Sequence, residues 1–163
     1  MNKTTSYSYD PGDRLTQLTD PLSHVTTYVY DAADQQIEVQ ISDGTHTLTA
    51  TTTYDDAGQK IAVSNPANET TSYAYDRDGN VTQTTDPLNH STYSMYDAAD
   101  RLVAVTTPLG NQTSYRYDGS NRRTSMTDPL GNVTTYSYDD GDNLTQVHSP
   151  AGVVPTCSPS SSI

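Results

Sequence analysis

The stretch TDPLGNVTTYSYD, residues 127–139, is a near copy of TDPLSHVTTYVYD at 19–31 and of TDPLNHSTYSMYD at 85–97. Working outward from it, the chain resolves into a repeat. Tyr-Asp pairs begin at 9, 30, 54, 75, 96, 117 and 138, so the spacing is 21 residues except in the second unit, which takes 24. A fixed period of this size marks an array in which each unit is one supersecondary element. A proline stands eleven residues after the Asp at Pro21, Pro66, Pro87, Pro108, Pro129 and Pro150, and Ser42 takes its place in the longer unit. All 13 tyrosines lie within four residues before one of these aspartates, so tyrosine is an element of the repeat.

The Tyr-Asp aspartates are Asp10, Asp31, Asp55, Asp76, Asp97, Asp118 and Asp139, and three residues after them come Asp13, Asp34, Gly58, Gly79, Asp100, Asn121 and Asp142. Only Gly, Asn and Asp occur there, the residue types that best tolerate a positive φ. A type I turn closed by a left-handed residue is the expectation, with the first Asp bonding backbone two residues on. The second turn of each unit is Asp/Thr/Asn-Pro-x-Gly/Asn/Ser, where proline presets φ. Two turns per 21 residues leave two strands of about five or six residues.

The strands carry the matching pattern. Six residues after the Asp stand Thr16, Ile37, Ile61, Thr82, Val103, Thr124 and Thr145, all β-branched. Eight after it come Leu18, Val39, Val63, Thr84, Val105, Met126 and Val147, with Gln17, Glu38, Ala62, Gln83, Ala104, Ser125 or Gln146 between. That is period-two alternation, and helical spacing is absent. A three-residue loop pairs the Tyr before each Asp with the residue five after it: Leu15, Gln36, Lys60, Val81, Leu102, Arg123 or Leu144. The β-branched row is then expected on the face opposite the tyrosines.

Composition narrows the function classes. Leu, Ile and Val number 24 of 163, with no Phe or Trp, so a conventional compact core is hard to fill. A net charge of −12 argues against a nucleic-acid or anionic-membrane partner. The single Cys157 allows neither an intrachain disulfide nor a cysteine metal site. The N-terminus MNKTTSYSYD lacks the apolar run of a signal peptide.

The segment YRYDGSNRRTSMTDPLGNVTTYSYDDGDNLTQV, residues 115–147, resembles the RHS, or YD, repeat family, whose units read Tyr-x-Tyr-Asp-x-x-Gly-Arg/Asn-Leu followed by a Pro-x-Gly turn. Seven in-frame copies cover residues 1–152, and a Ser/Pro-rich tail at 153–163 is expected to be disordered. The family includes bacterial polymorphic toxins, wall-associated proteins, the shells of Tc insecticidal toxins and the teneurins. The resemblance implies an all-β fold, an antiparallel meander of hairpins forming a curved sheet that is a segment of a hollow shell. It further implies a secreted or cell-surface setting within a larger protein, with other RHS-repeat segments or an enclosed C-terminal toxin domain as partners. Family members that release their toxin carry an additional self-cleaving core; here Asp128-Pro129-Leu130-Gly131 is an ordinary repeat turn, so autoproteolysis is not carried over. Both ends lack the look of a capping unit, from which a piece of a longer array with exposed edges is expected.

No residue set points to catalysis, a cofactor or a metal. His24 and His90 occupy a position shared with Glu69, Asn111 and Asn132, so they read as turn variation. The acidic turns DRDGN (76–80) and DDGDN (139–143) lack the ligand spacing of a calcium loop. Tyrosine rows beside Asp and Asn suit a sugar-binding surface, with Tyr73, Tyr75, Tyr115, Tyr117, Tyr136 and Tyr138 as candidate glycan contacts. The competing reading is that the rings cover apolar area between neighbouring hairpins.

Overall fold

The computed structural model describes residues 3–150, so the expected tail lies outside the described residues. Two compact units are distinguished, Met1–Ser91 and Thr92–Ile163. The first contains β1 (Ser6–Tyr9), β2 (Leu15–Thr19), β3 (Val25–Tyr30), β4 (Gln36–Ser42), β5 (Thr47–Tyr54), β6 (Lys60–Ser64), β7 (Thr70–Tyr75) and β8 (Val81–Thr85). Each strand pairs antiparallel with the next in the chain. The boundary falls at the start of β9 (Ser91–Tyr96), and β10 (Leu102–Thr106), β11 (Gln112–Tyr117), β12 (Arg123–Thr127), β13 (Val133–Tyr138) and β14 (Leu144–His148) follow. These too form an antiparallel meander. Every described element is a strand.

All described turns but one share one geometry. At the Tyr-Asp turns the amide of the third residue after the Asp donates to the Asp carbonyl, as Asp13 does to Asp10 at 3.1 Å. The Asp amide itself donates to the carbonyl of the fourth, Asp10 to Arg14 at 3.0 Å. Asp13, Asp34, Asp100, Asn121 and Asp142 have φ between 57° and 64°, and Gly58 and Gly79 lie at 80° and 90°. The Pro turns repeat the arrangement, with Ser23, Asn68, Asn89, Gly110 and Gly131 at positive φ. The exception is the hairpin of β4 and β5. Its strands run two pairs further, through Ile41↔Leu48 and Ser42↔Thr47. It closes through Asp43 N–H to the His46 carbonyl at 3.2 Å, over a two-residue loop with Gly44 at φ 92°.

Register corrects one expectation. The Tyr before each Asp does pair with the residue five after it, from Tyr9↔Leu15 to Tyr138↔Leu144. A bulge then inserts one residue in the second strand of every Tyr-Asp hairpin, so that Tyr7 pairs with Leu18, Tyr28 with Val39, Tyr115 with Met126 and Tyr136 with Val147. The row eight after the Asp therefore shares the tyrosine face, because residues directly opposite in an antiparallel pair project to the same side. The row six after the Asp supplies the extra residue. In four units it is threonine, and Oγ1 of Thr16, Thr82, Thr124 and Thr145 donates to the carbonyl of Ser8, Ala74, Arg116 and Ser137 at 3.0–3.2 Å. The hydroxyl supplies a donor where the bulge interrupts the ladder.

Little of this is buried in the ordinary sense. Among the described residues only Ala104 is a buried hydrophobe, at 7% exposure, and no large side chain is fully enclosed. The tyrosine face is half-covered by its neighbours along the sheet. Stability must come from ladder hydrogen bonds, cross-strand pairs and turn chemistry.

Replacing Gly79, at φ 90°, with valine is expected to lower stability by about 1–3 kcal/mol. Gly119→Val, at a position without positive φ and with open space around its Cα, should change it by less than about 0.5 kcal/mol. Urea unfolding of the two variants checks this, and equal losses would contradict the left-handed assignment.

Candidate functional site

The residues with the densest polar connections lie at the Tyr-Asp turns, where one repeat meets the next. Each begins with an aspartate whose Oδ1 accepts two backbone amides. Asp10 takes Gly12 N–H at 2.9 Å and Arg14 N–H at 3.0 Å. Asp31, Asp55, Asp76, Asp97, Asp118 and Asp139 do the same with the residues two and four places on. A short polar side chain immediately before the turn is what the local geometry requires.

The second carboxylate oxygen holds the side chain four residues on. Arg14, Arg101 and Arg122 bring Nε to 2.7–2.8 Å from Oδ2 of Asp10, Asp97 and Asp118. Gln59, Asn80 and Asn143 reach Asp55, Asp76 and Asp139 at 3.1–3.3 Å. These contacts hold the carboxyls of Asp10, Asp76, Asp97, Asp118 and Asp139 below their ordinary range. At Asp10, Asp76 and Asp139 the main cause is the backbone amide four residues on, and at Asp97 and Asp118 the arginine side chain. The Pro-turn carboxyls of Asp20 and Asp86 are lowered chiefly by the backbone amides of His24 and His90, and Asp128 by the Asn132 side chain.

From this anchor each arginine extends to the following repeat. The guanidinium of Arg14 lies 4.9 Å from the ring centre of Tyr30, Arg101 5.0 Å from Tyr117, and Arg122 5.1 Å from Tyr138. Its NH1 then reaches the next turn: Asp118 O and Asn121 Oδ1, both at 3.0 Å, for Arg101; Asp139 O at 3.2 Å and Asp142 Oδ1 at 2.8 Å for Arg122. Arg14 makes the equivalent bond to Asp34 Oδ1. The tyrosine bonds backward: the hydroxyls of Tyr30, Tyr54, Tyr75, Tyr117 and Tyr138 donate to the carbonyls of Leu15, Gln36, Lys60, Leu102 and Arg123 at 2.7–3.3 Å. Those carbonyls belong to the bulged strand of the preceding repeat. Desolvation raises the Tyr75 phenol above its ordinary value, which keeps its donor proton in place.

The candidate glycan tyrosines are thus engaged within the array. Tyr75, Tyr117 and Tyr138 use their hydroxyls as described, while Tyr115 and Tyr136 flank the Arg123 guanidinium at 5.8 and 4.6 Å. Tyr73 lies opposite Thr84. The residue four after each Asp, which carries the inter-repeat bond where it is arginine, is absent from the turn and strand rows that define the repeat. Its signal was available, since only Arg, Gln and Asn stand there. His24 and His90 bond the turn carboxylates of Asp20 and Asp86 through Nδ1 at 2.9 and 3.1 Å. A cleft of about 550 Å³ opens between the second and third Tyr-Asp turns, lined by Asp31, Gln35, Tyr54, Asp55 and Gly58 among others. Among the described residues no group of three His, Cys, Asp or Glu could hold a metal, and no helix is long and apolar enough to cross a membrane.

Comparison with known proteins follows the same repeat. A model of the RHS repeat matches residues 2–24, 9–48, 54–90, 96–132 and 123–154. No curated protein matches the chain. Among solved structures it is similar to the crystal structures of TcdB2-TccC3 and of TcdB2-TccC3-Cdc42, each with TM-score 0.73, 21% identity, and coverage of 91% of this chain and 9% of the other. The Tc holotoxin pore of Photorhabdus luminescens matches with TM-score 0.72 and 21% identity over 90% of this chain and 9% of its own. At this identity the likeness is one of fold, and the chain spans 9% of the length of those it matches.

Two measurements address the junction. The carboxyls of Asp10, Asp76, Asp97, Asp118 and Asp139 have a lower pKa folded than their ordinary 3.8, so the folded state binds fewer protons in acid. The stabilisation is fully present above that value and is lost as pH falls through the folded-state values. The urea midpoint is expected to be lower at about pH 3 than at about pH 6, and an unchanged midpoint would contradict the turn assignment. Tyr117→Phe removes the donor to Leu102 and should cost about 0.5–1.5 kcal/mol in the same assay.

Proposed function

The chain belongs to the RHS repeat family, and from that premise we propose that it is a non-catalytic structural segment of a β-shell that encloses or presents a toxin or effector domain. The observation that carries this reading is the direction of the polar side chains. Arg101 and Arg122, with the phenols of Tyr30, Tyr117 and Tyr138, reach the adjoining repeat, where they bond main chain and turn side chains. Groups used this way extend a sheet and do not converge on a small molecule. A sheet with one buried residue among those described suits a wall better than a domain closed around its own core.

In this role its partners are other RHS-repeat segments or the enclosed C-terminal toxin domain. The setting is outside the cell or at its surface, as part of a larger protein. The proposed division is seven repeats over residues 1–152, the second with 24 residues, followed by the Ser/Pro-rich segment 153–163, which lies outside the described residues. An autonomous carbohydrate- or cell-surface-binding module is the competing reading. The engagement of Tyr75, Tyr117 and Tyr138 with neighbouring carbonyls favours the structural one.

Far-UV circular dichroism melts at two concentrations, followed by passage over immobilised glycans, test the proposal. A shell segment is expected to show a β-type transition that strengthens with concentration and no glycan retention. A concentration-independent melt of a monomer that is retained on glycans would overturn it in favour of the binding module.

A further inference from the structure

We infer that the residue four places after one Tyr-Asp aspartate and the residue three places after the next form a matched pair, and that this pair decides which repeat can follow which. The interaction surface is the junction side of each Tyr-Asp turn. Its partner is another repeat of the same kind that carries the complementary residue.

Five junctions within the two compact units carry the observation. In three the leading residue is arginine, and the residue it meets offers a side-chain oxygen: Asp34 for Arg14, Asn121 for Arg101 and Asp142 for Arg122. In two it is glutamine, and the residue it meets is glycine: Gly58 for Gln35 and Gly79 for Gln59. The geometry explains the sorting. Arginine runs past the tyrosine ring and ends where an Asp or Asn side chain can accept NH1. Glutamine is shorter and ends against the Cα of the left-handed residue. A Cβ on Gly58 would stand 2.9 Å from Gln35 Nε2, and one on Gly79 would stand 3.7 Å from Gln59 Oε1.

Mismatched pairs lose on both sides. Glycine opposite arginine removes the side-chain acceptor and leaves NH1 with only the turn carbonyl of the next repeat. An Asp at Gly58 must displace the Gln35 amide, whereas at Gly79 its Cβ would meet Gln59 at ordinary contact distance. The cleft of about 550 Å³ at the Gln35–Gly58 junction lies where a longer side chain would extend toward the next turn. This inference rests on junction geometry and holds whether or not the segment encloses a toxin.

A double-mutant cycle on the full chain tests it, with Gln35→Arg and Gly58→Asp made singly and together and read by urea unfolding. Each single substitution is expected to favour unfolding. The pair should recover stability, with an unfolding constant about tenfold below the product of the single effects. Coupling above about twofold in this direction supports the pairing, while effects that multiply within about twofold, or coupling of opposite sign, overturn it. Should Gly58→Asp prevent folding, the cycle of Arg122→Gln and Asp142→Gly reads the same coupling from the opposite side, with the same two outcomes.

Discussion

The aspartate of each Tyr-Asp pair is the point on which the rest of the structure depends. One oxygen of its carboxylate closes the turn through two backbone amides, and in all the described units but that of Asp31 the other holds the side chain four residues on. Charge-assisted bonds of this kind are stronger than neutral ones, and here they fix both the hairpin's return and the direction of the arginine. With the turn set, the strand leaves it in one register, the bulge follows at a constant distance, and the tyrosine of the next repeat finds a carbonyl to bond. A single ionised group thus connects local conformation to the contact between repeats.

The absence of an enclosed core has an energetic counterpart. In a globular domain most favourable free energy comes from apolar area removed from water. Among the described residues one alanine is buried and the tyrosines are covered only in part. The stabilising contributions are distributed along the sheet instead, each repeat adding its own hairpin and one interface with its neighbour. Stability in such an array is close to a sum over units and nearest-neighbour terms. Cation–π contacts and phenol-to-carbonyl bonds are the interface terms seen here.

Much of the fold was legible in the sequence because turn residues report backbone conformation directly. A position restricted to Gly, Asn and Asp, as at Asp13 and Gly79, indicates a left-handed residue, and both have positive φ. Thr16 and its equivalents were harder to read. Their β-branched character fits a regular strand as well as a bulge, so simple alternation grouped the row eight after the Asp with them, away from the tyrosines, whereas the bulge brings that row onto the tyrosine face. The role of Arg14 was hidden for another reason: its partners, Tyr30 and Asp34, lie in the next unit, and nothing within one unit reveals a contact between two. Ser23 and Asn89 take the left-handed conformation at the Pro turns, a feature masked by the more obvious proline.

The longer second repeat shows how this architecture accepts change. Its hairpin gains two pairs of residues while its loop loses one, which accounts for three added residues and leaves the closing pair, Asp43 with His46, hydrogen-bonded. Closing and non-closing pairs alternate along an antiparallel ladder, so hairpin growth comes in fixed steps set by loop type. All of that growth lies on the Pro-turn side, and the pairing of Tyr30 with Gln36 and of Tyr54 with Lys60 is undisturbed. One margin of the sheet is thereby free to diversify in length over evolution, while the other keeps a constant pitch.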